Sequence, residues 1–398
     1  MINNINITDE LFEYAVTIRR KLHEYPEIGF ELSNTINLIS EELKKLDIPY
    51  STDYGKSSIV AHIGNGDEII AFRADMDALP VEEKTNLPFS SKIKGHMHAC
   101  GHDAHTAILL TAAKYLKDIE NELGCTVRLI FQPSEECAVS GAAMMVKNGV
   151  MDGVSHIICS HCEPTLPVGT LGIYKGDYMA ACIPATIKFY GVTSHASIPE
   201  KGVDAIAMAI EAYEKMKTAV AEEASGEKYI WSVGRLSGGH VHNVIADLCE
   251  MDISFRFYNM DFAERVKNRV FSICSSVAKA RGGRCEINWN MSVGSVHNDE
   301  LISDSFADII SKANLTTEPI NQKMSSEDFG WYLTKAPGML FRFGTGNPSI
   351  GADKPAHRND FIIDENGMKS AIKAFCLYAI NYSKKQAVPA PTKANVIS

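Results

Sequence analysis

The sequence has no basic start followed by an apolar run, no uncharged stretch long enough to cross a bilayer, and no basic segment interleaved with aromatics. The first two absences predict a cytoplasmic protein without a membrane partner, and the third speaks against a nucleic-acid surface. Positive charge is in deficit: 39 Lys and Arg face 49 Asp and Glu over 398 residues, a formal net charge of -10. Aromatics make up 8%, and no internal repeat or low-complexity segment occurs. The 10 Cys lack regular spacing, which in a chain this long argues against a disulfide framework and for reduced, mostly buried thiols. What remains is a chain 45% hydrophobic and 22% charged, with ample material for a core and too apolar for disorder. Its length predicts two domains, or one large domain with an insertion.

Apolar residues at helical spacing (Leu11, Ala15, Ile18, Leu22, then Ile36, Ile39, Leu43) predict two opening helices, interrupted at His23-Glu24-Tyr25-Pro26-Glu27. Strands follow over 59–63 and 69–75, joined by a Gly64-Asn65-Gly66 turn, then a helix over 104–116 and strands over 127–132 and 156–160. Such alternation indicates an α/β layer architecture, in which polar residues at strand ends build the site. From Pro184 the rhythm changes. A strand over 185–190, a helix over 203–224, strands over 229–236 and 248–258, a helix over 261–280 and a strand over 285–291 make the βαββαβ pattern of a ferredoxin-like α+β fold. An inserted domain is therefore expected at 183–294, within a discontinuous first domain of 1–182 and 295–385. The return carries a helix over 304–313, the segment around Phe329, a strand over 339–343 and a last helix over 365–382, and 386–398 reads as a flexible tail.

The densest chemistry is Gly95-His96-Met97-His98-Ala99-Cys100-Gly101-His102-Asp103-Ala104-His105, with four of the 13 His and a Cys. Imidazole and thiolate are preferred ligands of borderline divalent metals, and a bent loop aims Cys100 and His102 inward together. The plain alternative is a loop of core or surface His beside a buried Cys. Glu135-Glu136 follows the predicted strand and Pro133. Adjacent carboxylates repel, so a pair at a strand end suits a site where a cation holds one and the other moves protons. A solvated Glu pair is the bland version. His161 and His357 fall at ends of predicted strands or in the loop Pro355-Ala356-His357-Arg358. Cys100, His102, Glu136, His161 and His357 make five ligands, enough for two ions sharing a bridge and too many for one tetrahedral site.

In the inserted domain, Arg256 stands alone in the apolar strand segment Ser254-Phe255-Arg256-Phe257 and needs an anion. A substrate carboxylate and an internal Asp or Glu are both open. His195, in Ser194-His195-Ala196, is a candidate donor to a developing oxyanion or an ordinary surface His.

Taken together, Arg73-Ala74-Asp75-Met76-Asp77-Ala78-Leu79-Pro80, His98-Ala99-Cys100-Gly101-His102-Asp103, Phe131-Gln132-Pro133-Ser134-Glu135-Glu136, Asn243-Val244-Ile245 and Ser325-Ser326-Glu327-Asp328-Phe329 resemble the signature segments of the metal-dependent N-acyl-amino-acid amidohydrolases. This is the branch of the aminoacylase/carboxypeptidase superfamily with the hippurate and plant auxin-conjugate hydrolases. The resemblance implies a zinc-exopeptidase-like catalytic domain with a mixed central sheet, an inserted lid and dimerisation domain, and a homodimer. It implies metal ligation by Cys100, His102, Glu136, His161 and His357, with Glu135 as general base. It gives His195 to the site as the lid His, and Asn243 and Arg256 to the substrate's carboxylate or amide. Two divalent ions (Zn, Mn, Co or Ni) are implied. Departures are Cys137-Ala138-Val139-Ser140-Gly141 after the Glu pair, Ser194 before the lid His, Cys162-Glu163-Pro164 after His161, and Arg358-Asn359-Asp360 after His357. They bear on substrate preference.

The implied activity is hydrolysis of an N-acyl bond on an amino acid, with a metallo-carboxypeptidase or dipeptidase as the neighbouring alternative. Two rivals differ in kind: a thiol hydrolase in which Cys100 attacks with a His base, and a non-catalytic metal-binding protein. Glu135 beside Glu136 argues against the second, since storage needs no spare carboxylate.

Overall fold

The computed structural model describes residues 5–290 and 293–382. The chain divides into a larger unit, Met1–Tyr178, Val296–Gln322 and Asp328–Ser398, and a smaller one, Met179–Ser295 and Lys323–Glu327. These limits lie a few residues outside the expected 183–294, and Lys323–Glu327, expected in the first domain, belongs to the smaller unit. Hydrogen bonds explain the difference: Tyr258 Oη donates to Lys323 O at 2.6 Å, and Ala180 N donates to the carbonyls of Lys323 and Ser325, each at 3.1 Å.

The larger unit opens with α1 (Asp9–Glu24) and α2 (Ser33–Lys45), then β1 (Tyr50–Ser51), β2 (Ile59–Ile63), β3 (Ile69–Asp75), α3 (His102–Asp118), β4 (Thr126–Gln132), α4 (Gly141–Lys147), β5 (Val154–Pro167), β6 (Leu171–Ile173) and β7 (Gly176–Met179). Next come β8 (Ala181–Tyr190), α5 (Ala205–Ala224), β9 (Tyr229–Gly238), β10 (Leu248–Phe257), α6 (Met260–Ala280) and β11 (Arg284–Trp289). The return supplies β12 (Val296–Asn298), α7 (Glu300–Lys312), β13 (Thr317–Pro319), α8 (Gly330–Leu333), β14 (Gly338–Gly346) and α9 (Gly367–Tyr382).

Eight strands form one mixed sheet in the order β1-β2-β4-β3-β5-β14-β6-β13, with β4, β3, β5 and β14 mutually parallel. Parallel strands are covered on both faces, so β3, β4 and β14 are buried almost without interruption. Helix α3 is the crossover from β3 to β4 and is buried over most of its length, with the mostly apolar run 107–113 in the core and His102, Asp103 and His105 buried in its first turn. On α1 the stripe Leu11, Ala15, Ile18 and Leu22 faces the core, and Thr8 caps its start by accepting from Leu11 N at 3.2 Å.

Register places the chemistry. Asp75 pairs with Gln132, and Arg73 pairs with Cys159, so His161 lies level with Asp75 two residues on. The row stands toward the carboxyl ends of the parallel strands, where α/β sheets build ligand sites. Two sequence expectations shift here. His161 was expected beyond a strand ending at 160; β5 runs on to Pro167 because His161 pairs with Arg342 of β14. The helix expected at 104 starts at His102, because Gly101 takes φ +82° and turns the chain directly into it.

The smaller unit is a four-stranded antiparallel sheet in the order β11-β8-β10-β9, the ferredoxin-like arrangement. Its own core gathers Ile187, Phe189, Met208, Met251, Phe255 and Val266. Helix α5 begins at Ala205, two residues later than expected, since Asp204 accepts from Ala207 N at 3.0 Å as its cap while Val203 pairs with Val192. The end of the strand expected over 285–291 and the tail at 386–398 lie outside the described residues. Among the described residues no helix is long and apolar enough to cross a membrane.

Phe255 is fully buried and meets Trp231 and Phe262 edge-on at 5.5 and 5.7 Å between ring centroids. Phe255→Ala is expected to destabilise the smaller unit by about 3–5 kcal/mol, read as a lowered urea midpoint with an unchanged slope. A midpoint shift within error would show that this ring cluster does not support the unit.

Candidate metal centre

All five expected ligands lie in the larger unit, and the fold draws them together from four places. Cys100 ends the loop before α3, and His102 is the first residue of that helix. Glu136 sits in the loop after β4, His161 within β5, and His357 in the loop after β14. Donor atoms within 4.8 Å of one another form the groups Cys100–His102–His161, Cys100–Glu136–His357 and His102–Glu135–Glu136. Two of these triads share Cys100. A thiolate common to two donor sets suits a pair of cations with a bridging ligand.

Individual geometries agree with ligation. His161 Nδ1 lies 2.8 Å from the Cys162 carbonyl, which can only accept, so that nitrogen carries the proton and Nε2 keeps its lone pair. Nε2 is 3.5 Å from Cys100 Sγ. His357 Nε2 stands 3.2 Å from Glu136 Oε1, and its backbone N donates to Ala99 O at 2.8 Å. His357 holds φ +70° and Ser134, just before the Glu pair, φ +54°, left-handed conformations that non-glycine residues adopt at an energetic cost and that cluster at functional sites. Ser134 Oγ ties the loop back by donating to Val139 O at 2.7 Å. A Cβ at Gly141 would stand 1.7 Å from Pro133 O, so the turn closing the loop accepts only glycine.

Electrostatics point the same way. Both ring nitrogens of His102 are buried without a hydrogen-bond partner, with Asp77 Oδ1 at 3.5 Å, Asp75 Oδ2 at 3.7 Å, Glu136 Oε1 at 3.9 Å and Glu135 Oε2 at 4.0 Å around them. Burial opposes a charge on the ring, but Asp75, Asp77 and Glu136 outweigh it and raise its pKa to about 10. The pocket is short of positive charge, and orphaned imidazole nitrogens among carboxylates are what a divalent cation would satisfy. Burial, then Glu136 and Cys162, push the Cys100 thiol well above its usual value. A free Cys100 thiolate is therefore disfavoured, which weakens the thiol-hydrolase alternative; a bound cation would reverse the effect.

Behind the donors lies a layer of residues from the same signature segments, to which the sequence alone gives no individual role. Asp77 accepts from Glu135 N at 2.9 Å and Glu136 N at 3.1 Å, so one carboxylate orients both Glu residues while facing His102. Asp75 accepts from Arg73 at 2.6 Å, and Arg73 also donates to Asp328 at 2.9 Å. Asp328 in turn accepts from Ser140 Oγ at 2.7 Å and from the Gln132 amide at 2.9 Å. The signal was available: Asp75 and Asp77, two apart at a strand end, project to one side.

Of the four clustered His, His102 joins the triad Cys100–His102–His161, and His105 falls in the groups Asp75–His102–His105 and His105–His161–Cys162. His96 Nδ1 lies 3.2 Å from Pro26 O, and His98 is buried without a hydrogen-bond partner. His105 is engaged at both nitrogens, with Nδ1 2.6 Å from Asp75 Oδ1 and Nε2 accepting from Cys162 N at 2.9 Å. It braces the wall between His102 and His161.

The remaining expected residues lie in the smaller unit. His195 is exposed, with Nδ1 2.7 Å from Ser197 Oγ. Asn243 O accepts from Ala196 N at 3.0 Å. Arg256 donates to Met324 O and Ser326 Oγ, both at 3.1 Å, so its partners within the unit are neutral and the internal-carboxylate alternative is not what is found there.

Asp77→Ala is expected to lower divalent-metal affinity 10- to 100-fold, roughly the effect of removing a residue that orients ligands, in competition with a chromophoric chelator. Unchanged affinity would remove Asp77 from the centre. A second expectation concerns pH. Burial tends to raise the Glu83 pKa, but hydrogen bonds from His23, Thr85 and Ser91 bring it from 4.5 to about 2. Its stabilising contribution is complete above 4.5 and is lost as pH falls through about 2. Glu83→Gln should flatten the stability-against-pH curve in that window by up to about 1.4 kcal/mol per pH unit; parallel curves from urea titrations would contradict this.

Residues 71–381 match the profile of peptidase family M20/M25/M40. The chain is 36% identical over 372 residues to N-acetyl-L-cysteine deacetylase of Bacillus subtilis, covering 93% of this chain and 88% of the relative. It is 34% identical over 389 residues to thermostable carboxypeptidase 1 of Saccharolobus solfataricus, covering 96% and 98%. The crystal structure of the Bacillus subtilis YXEP protein, described as a dinuclear metal binding peptidase from the M20 family, aligns with a TM-score of 0.83 at 32% identity, covering 95% of this chain and 99% of that one. With its mixed eight-stranded sheet, separate small antiparallel sheet and clustered donors, the chain belongs to the M20 family of metal-dependent amidohydrolases and peptidases.

Proposed function

We propose that the chain hydrolyses the amide bond of N-acyl-amino acids, such as N-acetyl or N-benzoyl conjugates, to a carboxylate and a free amino acid. The observation that carries this is the pair of donor triads sharing Cys100, with Glu135 alongside Glu136 but outside both. The similarity to an N-acetyl-L-cysteine deacetylase supports the acyl-amino-acid class.

Cys100, His102, Glu136, His161 and His357 would hold two divalent ions. When bound, such ions polarise the acyl carbonyl and make water a stronger acid. Glu135 takes the proton of the attacking water and passes it to the leaving amine, a transfer that Glu136, as a ligand, would not be free to make. Asp77 holds both Glu backbones in place during this exchange. His195 is assigned the stabilisation of the tetrahedral oxyanion. Arg256 and Asn243 are assigned the free carboxylate or amide of the substrate; Arg256 suits this because its neutral partners leave its charge uncompensated within the smaller unit.

A carboxypeptidase acting on short peptides is the second reading, favoured by the similarity to thermostable carboxypeptidase 1. Both substrates end in a carboxylate, so the acyl side decides between them. Side-by-side kcat/KM on N-acetyl-amino acids and on dipeptides is expected to favour the former, and a preference for dipeptides would select the second reading. Glu135→Gln is expected to retain metal while losing about 10²- to 10⁴-fold in kcat. Full turnover in that variant would exclude Glu135 as the base.

A further inference from the structure

His195 is held unusually well for an exposed residue. Its backbone pairs with Val244, and the residues on either side are fixed as well: Ile245 N donates to Ser194 O at 2.9 Å and Ala196 N to Asn243 O at 3.0 Å. Ile198 N then donates to His195 O at 2.9 Å, closing a turn that folds Ser197 back over the ring. There the backbone N–H of Ser197 meets His195 Nδ1 at 3.1 Å and Ser197 Oγ meets the same nitrogen at 2.7 Å.

A backbone N–H can only donate, so Nδ1 accepts, and in the neutral ring the proton must sit on Nε2. The hydroxyl then donates to Nδ1 too. The opposite tautomer would set a ring N–H against the Ser197 N–H and turn a lone pair outward, toward any anion that approached. We propose that Ser197 is a positioning residue that holds His195 as the Nε2–H tautomer with that N–H free to donate. The chemistry of the proposed reaction needs this form: a developing oxyanion accepts a hydrogen bond and is repelled by an imidazole lone pair. Because both residues are exposed and the ring makes no other hydrogen bond among the described residues, its orientation depends on Ser197.

The inference rests on the donor role assigned to His195, and two readouts separate the claims. The tautomer is read from the ring nitrogen resonances of the zinc-loaded, ¹⁵N-labelled chain, with His195 assigned by comparison with His195→Gln. A protonated Nε2 and an unprotonated Nδ1 are expected; a protonated Nδ1, or an even mixture, overturns the inference. Ser197→Ala removes the shorter contact and leaves the amide, so the tautomer should persist while the Nδ1 resonance shifts with the loss of the hydroxyl's hydrogen bond. Its kcat on an N-acetyl-amino acid should fall about five-fold, the scale of one net hydrogen bond, with KM changing less. Ser197→Thr, which keeps the hydroxyl, should restore both. Unchanged resonances and unchanged kcat in Ser197→Ala overturn the role of Ser197. Full turnover in His195→Ala, which has no side-chain donor, instead removes the donor role of His195, while the resonances still report whether Ser197 holds the ring.

Discussion

The structure turns on a concentration of like charge where parallel strands end. Asp75, Asp77, Glu135 and Glu136 converge on His102, a ring with no hydrogen-bond partner of its own. Carboxylates at this density repel one another, and in a buried site water cannot relieve them. A proton on His102 is one remedy, which is why its pKa rises to about 10. Divalent cations are the stronger one, and the donor types present are those such cations prefer. Cys100 belongs to two of the donor triads, so one thiolate would link two positive centres.

The rest of the larger unit reads as support for that crowding. The parallel register sets Asp75 level with His161 and beside Gln132, and α3 presents His102 from its first turn. Arg73 then compensates the acids from behind by bonding both Asp75 and Asp328, while Asp328 fastens the loop after the Glu pair through Ser140. Asp103, next to His102 on α3, is anchored separately by Arg19 Nε at 2.8 Å and His23 Nδ1 at 2.7 Å. These pairs are buried, so losing one partner would strand the other charge, and ligand placement and fold stability become one problem. Left-handed backbone at Ser134 and His357 shows where the chain bends against its preference to complete the site.

Much of this was legible in the sequence, for identifiable reasons. Helical periodicity exposed the buried stripe of α1, and the change of rhythm after Pro184 exposed the βαββαβ unit. Residues destined for the centre stood out where soft and acidic donors crowd a short segment, as at Cys100 and His102, or where a Glu pair follows an apolar strand. Less legible was the division of labour within such segments. His96, His98 and His105 resemble His102 by composition, and only tertiary hydrogen bonds set His105 apart as a brace. Asp77 was visible as part of a motif, yet its grip on the Glu135 and Glu136 amides depends on the pairing of β3 with β4. Three-residue strands such as β6 and β13 carry too few residues for any periodicity to show.

The central claim, two cations sharing the Cys100 thiolate, is tested most directly by titrating the metal-free chain with cobalt(II) and following absorption. The account predicts saturation at two equivalents per chain, with a sulfur-to-cobalt charge-transfer band that is absent from Cys100→Ser. Saturation at one equivalent, or a band unchanged in that variant, would contradict it.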